Sequence, residues 1–129
     1  MEKNNIKIKI TTISTGNPVS VIKGNGVFRE KNGKVLINHI DEENNKTAVI
    51  ITDEKMLLSR SSEMYSYKIP IKAGETLQGL IGEEQTFTVV GKHSAFNKHK
   101  KGGSIEIEYT LPDLADESMD FKVNIDFEY

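Results

Sequence analysis

The sequence predicts an all-β chain folded as a single antiparallel up-and-down β-barrel of about eight to ten strands. Two stretches near the C-terminus carry the prediction. In SMDFKVNIDFEY, residues 118 to 129, Met119, Phe121, Val123, Ile125, Phe127 and Tyr129 alternate with polar residues. In GGSIEIEYTL, residues 102 to 111, Ile105, Ile107, Tyr109 and Leu111 do the same. A period of two describes a half-buried strand, whereas on a helix these residues would spread around the whole circumference. The third observation is the absence of any sustained helical stripe elsewhere, together with turn residues at short, regular intervals.

Between those two stretches PDLADE predicts the reversal, because Pro112 has no amide hydrogen for a ladder and the Asp side chains bond locally to backbone. Working towards the N-terminus, further strands are predicted at 6–13, 19–30, 34–41, 46–52, 55–60, 63–69, 75–81 and 85–92. The breaks carry turn chemistry at Gly16-Asn17-Pro18, Lys31-Asn32-Gly33, Glu43-Asn44-Asn45, Thr52-Asp53-Glu54, Ala73-Gly74 and Gly82-Glu83. Asn32-Gly33 is the best two-residue hairpin signal among them. Residues 93–103 are expected to form one long connection with room for a short helical turn. With over half the chain in strands, most edges must be satisfied, and short sequential connections favour a meander that closes on itself.

A length of 129 residues fits one domain, 1–129, able to bury a continuous core. The net charge of −2 supplies no long-range basic field, so neither nucleic acid nor an anionic membrane is an expected partner. There is no cysteine, which excludes disulfides, thiol catalysis and cysteine-ligated zinc. MEKNNIKIKI lacks an apolar run of signal-peptide length, and no run approaches a membrane span, so a cytoplasmic location is expected. Asn45-Lys46-Thr47 matches a glycosylation acceptor but is short enough to arise by chance.

The run GKVLINHIDEENNKTAVIITDEKMLLSRSSEMYSYKIPIKAGE, followed by FTVVGKHSAF and GGSIEIEYTL, resembles the YwiB-like family of small bacterial proteins. The matching positions are Asp41, Glu42, Arg60, Met64, Gly82 and Gly103. The chain departs from the family at Asn38 and His39, at Ser61-Ser62 and near Leu77 and Gln78, where members carry aromatics, a glycine and a tyrosine respectively. The resemblance implies a lipocalin-like, calycin-type barrel whose mouth could hold a small apolar ligand.

Individual motifs argue little for catalysis. His93 and His99 with Asp41, Glu42 and Glu43 have the chemistry of metal ligands, but the histidines fall in a polar stretch and read better as solvated side chains, so no metal is expected. His93-Ser94 lacks a nucleophile elbow. Gly24-Asn25-Gly26 lacks the third glycine and following helix of a dinucleotide site and reads as a bulge or bend. The basic run 97–101 has only Phe96 as a stacking aromatic, and Asp113, Asp116 and Glu117 lack calcium-loop spacing. No acid, base and nucleophile converge, so a non-enzymatic protein without a cofactor is expected.

Arg60 is different. Strand alternation puts it on one face with Met56 and Leu58, so a guanidinium ends an apolar face and must lie near a rim or be paired. In the structural reading it closes one end of the barrel by packing and hydrogen bonding; in the functional reading it receives an anionic head group. Tyr65 and Tyr67 share a face with Ile69, and Phe28, His39 and Phe87 are further candidate wall residues. The expected function is therefore binding of a small apolar or amphipathic molecule, oriented by Arg60. The alternative is a protein-interaction module that docks through its exterior, or through the first strand lying at an open edge.

Overall fold

The computed structural model describes residues 2–53, 55–114 and 117–129. Within them every element is a strand: β1 (Glu2–Ser14), β2 (Ser20–Lys31), β3 (Lys34–Ile40), β4 (Lys46–Thr52), β5 (Lys55–Ser61), β6 (Ser66–Ile71), β7 (Thr76–Ile81), β8 (Gln85–His99), β9 (Gly102–Leu114) and β10 (Glu117–Glu128). Each strand pairs antiparallel with the next, and β10 returns to pair with β1, so ten strands close into a ring. No described residue is helical.

Closure removes the expected free edge. β1 is bonded to β2 from Glu2↔Glu30 to Thr12↔Ser20 and to β10 from Lys7↔Glu128 to Ser14↔Phe121. The backbone groups that would have invited strand addition are consumed by the ring itself.

Alternation decides which side chains fill the interior. Ile6, Ile8 and Ile10 of β1, Val35 and Ile37 of β3, Val49 and Ile51 of β4, and Ile105 and Ile107 of β9 are all buried. The residues between them are mostly polar and face solvent. β-Branched side chains dominate because they lose little rotamer freedom on a pleated surface and pack well across strands.

Turn chemistry explains the tight connections. Asn32 (φ 53°) and Gly33 (φ 79°) both adopt the left-handed conformation that a two-residue hairpin between Lys31 and Lys34 requires. Asp41 organises the next reversal, accepting from the amides of Glu43 (2.8 Å) and Asn45 (2.9 Å) and from the Asn45 side chain (3.0 Å). Those donors, with the Asn45 amide first among them, hold its carboxyl below the ordinary carboxylate value.

Three expectations from the sequence need correction. Residues 93–99 do not form a loop with a helical turn: β8 runs on to His99 and pairs with β9, after a register shift between Gly91 and His93. The shift changes the parity of inward positions, so Ser94 and Phe96, opposite Ile107 and Ile105, continue the inner face that Val89 and Gly91 begin. Pro112 and Asp113 do not turn the chain but extend β9, at an irregularity between the Leu111↔Met119 and Leu114↔Glu117 pairs where a missing amide is tolerated. The Ala115-Asp116 part of that expected turn lies outside the described residues. Residues 63–65 belong to a turn rather than to a strand: the Ser62 amide donates to the Tyr65 carbonyl at 2.8 Å, and the Ser62 hydroxyl accepts from the amides of Met64 and Tyr65.

Gly24-Asn25-Gly26 shows no register shift against β1. Gly24 is there for space, since a Cβ on it would strike the His39 ring. The ring's thinnest seam lies between β6 and β7, which share only the Tyr67↔Ile81 and Lys68↔Leu80 pairs. β6 carries Pro70, which has no amide hydrogen to give either neighbour.

Candidate functional site

The two ends of the ring differ. At one end an aromatic cluster fills the interior. Phe28 is fully buried and stacks on Phe127 with ring centroids 5.4 Å apart, Phe96 lies 6.5 Å beyond Phe127, and Tyr129 meets both Phe28 and Phe127 edge-on. Lys98 places its ammonium 5.2 Å from the centre of the Phe28 ring. Below this plug, Ile37, Leu58, Val89, Val123 and Ile125 pack the middle of the ring, each at 1% exposure or less.

The opposite end is open inside. A cavity of about 330 Å³ is lined by Thr12, Arg60, Tyr65, Tyr67, Ile69, Ile81, Phe87, Tyr109, Leu111 and Phe121. The size is at the lower end of the range for small-molecule pockets. Larger depressions, such as one of about 910 Å³ over Lys7, Lys9, Lys23 and Lys101, lie on the outer surface and are more open to solvent.

Four residues expected from the sequence meet in this cavity: Arg60, Tyr65, Tyr67 and Phe87. Arg60 extends the inward row of Met56 and Leu58 on β5, both buried. Tyr67 is its direct cross-strand partner on β6, and Tyr65, in the preceding turn, stacks on Tyr67 with centroids 5.7 Å apart and planes 12° from parallel. Phe87 lies opposite Gly79 of β7, and its ring occupies the space that a side chain at Gly79 would need. A glycine at that position is what lets the ring lie back against the wall.

Phe28 and His39 lie elsewhere. Phe28 belongs to the plug. His39 is buried against Gly24, not solvated, and its Nδ1 lies 2.7 Å from the Asn25 carbonyl oxygen. A carbonyl can only accept, so Nδ1 carries a hydrogen and donates, while Nε2 is buried without a hydrogen-bond partner. His39 is a core histidine whose ring is fixed by this bond and by Gly24. The histidines do not converge on carboxylates: His93 pairs with Glu106 alone at 3.2 Å, both half-exposed, and no cluster suited to a metal occurs among the described residues.

The sequence reading missed the far wall of the cavity. Thr12, Tyr109, Leu111 and Phe121 come from β1, β9 and β10, and Tyr109 stacks on Phe121 with centroids 5.1 Å apart and planes 9° from parallel. Their period-two alternation signalled an inward face, but nothing along the chain showed that this face meets Arg60.

Polarity is concentrated at one point. Arg60 donates from Nη2 to the Thr12 hydroxyl at 3.3 Å, while its Nε is buried with no acceptor. No carboxylate lies within ion-pair distance of it among the described residues, and none lines the cavity. Burial pushes the Tyr109 hydroxyl pKa well above the ordinary tyrosine value, with the nearby Arg60 charge acting in the opposite direction. Tyr109 is therefore a neutral O–H group across the working pH range. The arrangement can enclose an apolar body and offer hydrogen-bond donors to one polar end. It contains no paired acid and base.

No protein-family model and no curated protein matches this chain. Among solved structures, it is similar to the crystal structure of the YwiB protein from Bacillus subtilis, with a TM-score of 0.77 and 16% sequence identity over 98% of this chain and 92% of that one. The two share a fold. At that identity the likeness shows the fold alone.

Proposed function

We propose that this protein is a non-enzymatic, cytoplasmic member of the YwiB-like family, a lipocalin-like binding barrel that takes one small apolar or amphipathic molecule at the Arg60 end. The observation that carries the reading is the contrast between the ends: aromatic side chains fill one, while at the other Tyr65, Tyr67, Phe87, Tyr109 and Phe121 line a cavity of about 330 Å³. The lining is mostly apolar and reaches solvent at this end, so a ligand seated there would remove apolar surface from water. Binding would draw on burial of the ligand's apolar surface, with Arg60 orienting its polar end.

Native mass spectrometry of freshly purified protein, followed by denaturation and detection of any released small molecule, tests this without a prior choice of ligand. Uptake of an environment-sensitive apolar dye is the parallel readout. A bound species, or saturable dye binding weakened by Arg60→Ala, supports the reading. A clean apo mass with no dye uptake contradicts it and favours the alternative of an interaction module. That module would use the outer face, where Ile13 on β1, Val19 just before β2 and Val21 on β2 are exposed, since β1 offers no free edge.

A further inference from the structure

The wall of this cavity narrows the class of ligand, and the step rests on the binding reading above. We infer that the ligand is an aromatic acid, with a flat ring lying against the stacked tyrosine and phenylalanine faces and a carboxylate held by Arg60.

The acid follows from the state of Arg60. A guanidinium taken partly out of water is satisfied most strongly by an anionic acceptor, above all a bidentate carboxylate. Arg60 instead holds one neutral hydroxyl at 3.3 Å, beyond the usual range for such a bond, and its buried Nε has no acceptor. Thr12 therefore reads as a placeholder that keeps the fork pointed inward. The remaining lining adds hydroxyl groups at Tyr65, Tyr67 and Tyr109 and no negative charge, so its polar groups can donate hydrogen bonds and repel no anion.

The ring follows from the lining. Five of the ten lining residues are aromatic, and four of them form two near-parallel stacked pairs, Tyr65 with Tyr67 and Tyr109 with Phe121. The pairs come from separate parts of the ring of strands, β6 with its preceding turn on one side and β9 with β10 on the other. Flat walls favour offset stacking by a flat ligand over contact with a flexible alkyl chain, which must also lose rotamer freedom to fit. A volume of about 330 Å³ suits one or two fused rings.

Calorimetric titration of the full chain with naphthoate, naphthylmethanol and decanoate separates the elements of the proposal. Naphthoate is expected to bind about tenfold or more tightly than naphthylmethanol, the gain typical of a charged hydrogen bond, and also more tightly than decanoate. Arg60→Gln should remove the preference for the acid while leaving naphthylmethanol within about threefold. Equal binding of naphthoate and naphthylmethanol to the unaltered protein would overturn the acid, and tighter binding of decanoate would overturn the ring, each leaving the binding reading intact. Binding of none of the three would overturn the inference and the binding reading together. Because the first two comparisons use the unaltered protein, the result stands even if Arg60→Gln folds poorly.

Discussion

Arg60 on β5 donates to the hydroxyl of Thr12 on β1, a bond of 3.3 Å between strands four places apart in a ring of ten. The contact does not follow the sheet but crosses its interior. It reaches from one wall to another beside the cavity and keeps the guanidinium inside instead of folded out to solvent.

Thr12→Val removes the acceptor while keeping the shape. The lost bond is long and half-exposed, so unfolding in urea should show a loss of no more than about 1 kcal/mol. Affinity for an anionic ligand should change less than in Arg60→Gln, because a carboxylate replaces Thr12 as the acceptor. A loss of several kcal/mol would mean that the bond is a structural tie and not a placeholder.

Gly79→Ala should reshape the cavity without touching its lining chemically. The new methyl takes the place of the Phe87 ring, which must swing into the empty volume or shift the strand. Dye or ligand affinity is expected to fall at least about tenfold, with a stability loss of about 1–3 kcal/mol from overpacking. Phe87→Leu in the same background should restore much of both, since the clash is pairwise. An unchanged affinity would remove Phe87 from the site.

Asp41 predicts acid sensitivity of the 41–45 turn. Its carboxyl titrates below the ordinary value near 3.8, chiefly because the Asn45 amide and then the Asn45 side chain donate to it, with the Glu43 amide adding less. The sign follows from linkage: stability from a depressed pKa is present above the unfolded value and is lost as pH falls through the lower folded one. Amide exchange at Glu43 and Asn45 should accelerate below that range. In Asp41→Asn the same amides should exchange with little added dependence on pH there, and equal acid profiles for the two proteins would contradict the assignment.

Tyr109 predicts the opposite behaviour in alkali. Its raised pKa means that stability is fully present below the ordinary value of 10.0 and is lost as pH rises towards the folded one, because the unfolded chain ionises first. Tyrosinate absorbance should therefore show one of the four tyrosines resisting titration until the chain unfolds, and Tyr109→Phe should remove that delayed step. All four ionising together near the ordinary value would contradict the burial of this hydroxyl.

Much of this fold was legible because one face of nearly every strand is apolar. Alternation in Ser104–Leu111 and around Val123 and Ile125 needed no tertiary knowledge, and Asn32-Gly33 announced its hairpin through the backbone angles it permits. β8 beyond Lys92 was missed because the irregularity at Gly91 to His93 breaks the period, so Ser94 and Phe96 fall on what looks like the outer face. Arg60 stood out as a charge ending an apolar row, whereas Thr12 did not, since its role depends on a strand far away round the ring. Phe28 and His39, named from the sequence as candidate wall residues, are buried but lie away from the cavity at the Arg60 end. Which end of the ring each occupies depends on how the strands stagger as the sheet closes, and residue spacing along one strand carries no trace of that.

The most direct test of a ligand site at the Arg60 end is amide and methyl NMR of the protein during titration with an apolar anionic dye such as anilinonaphthalenesulfonate. Saturable shifts are expected at Thr12, Arg60, Tyr67, Ile69, Ile81 and Leu111, with little change at Phe28, Phe127 or the outer-face lysines Lys7 and Lys23. Absence of saturable shifts, or shifts confined to the outer face or the aromatic plug, would contradict a binding cavity at this end.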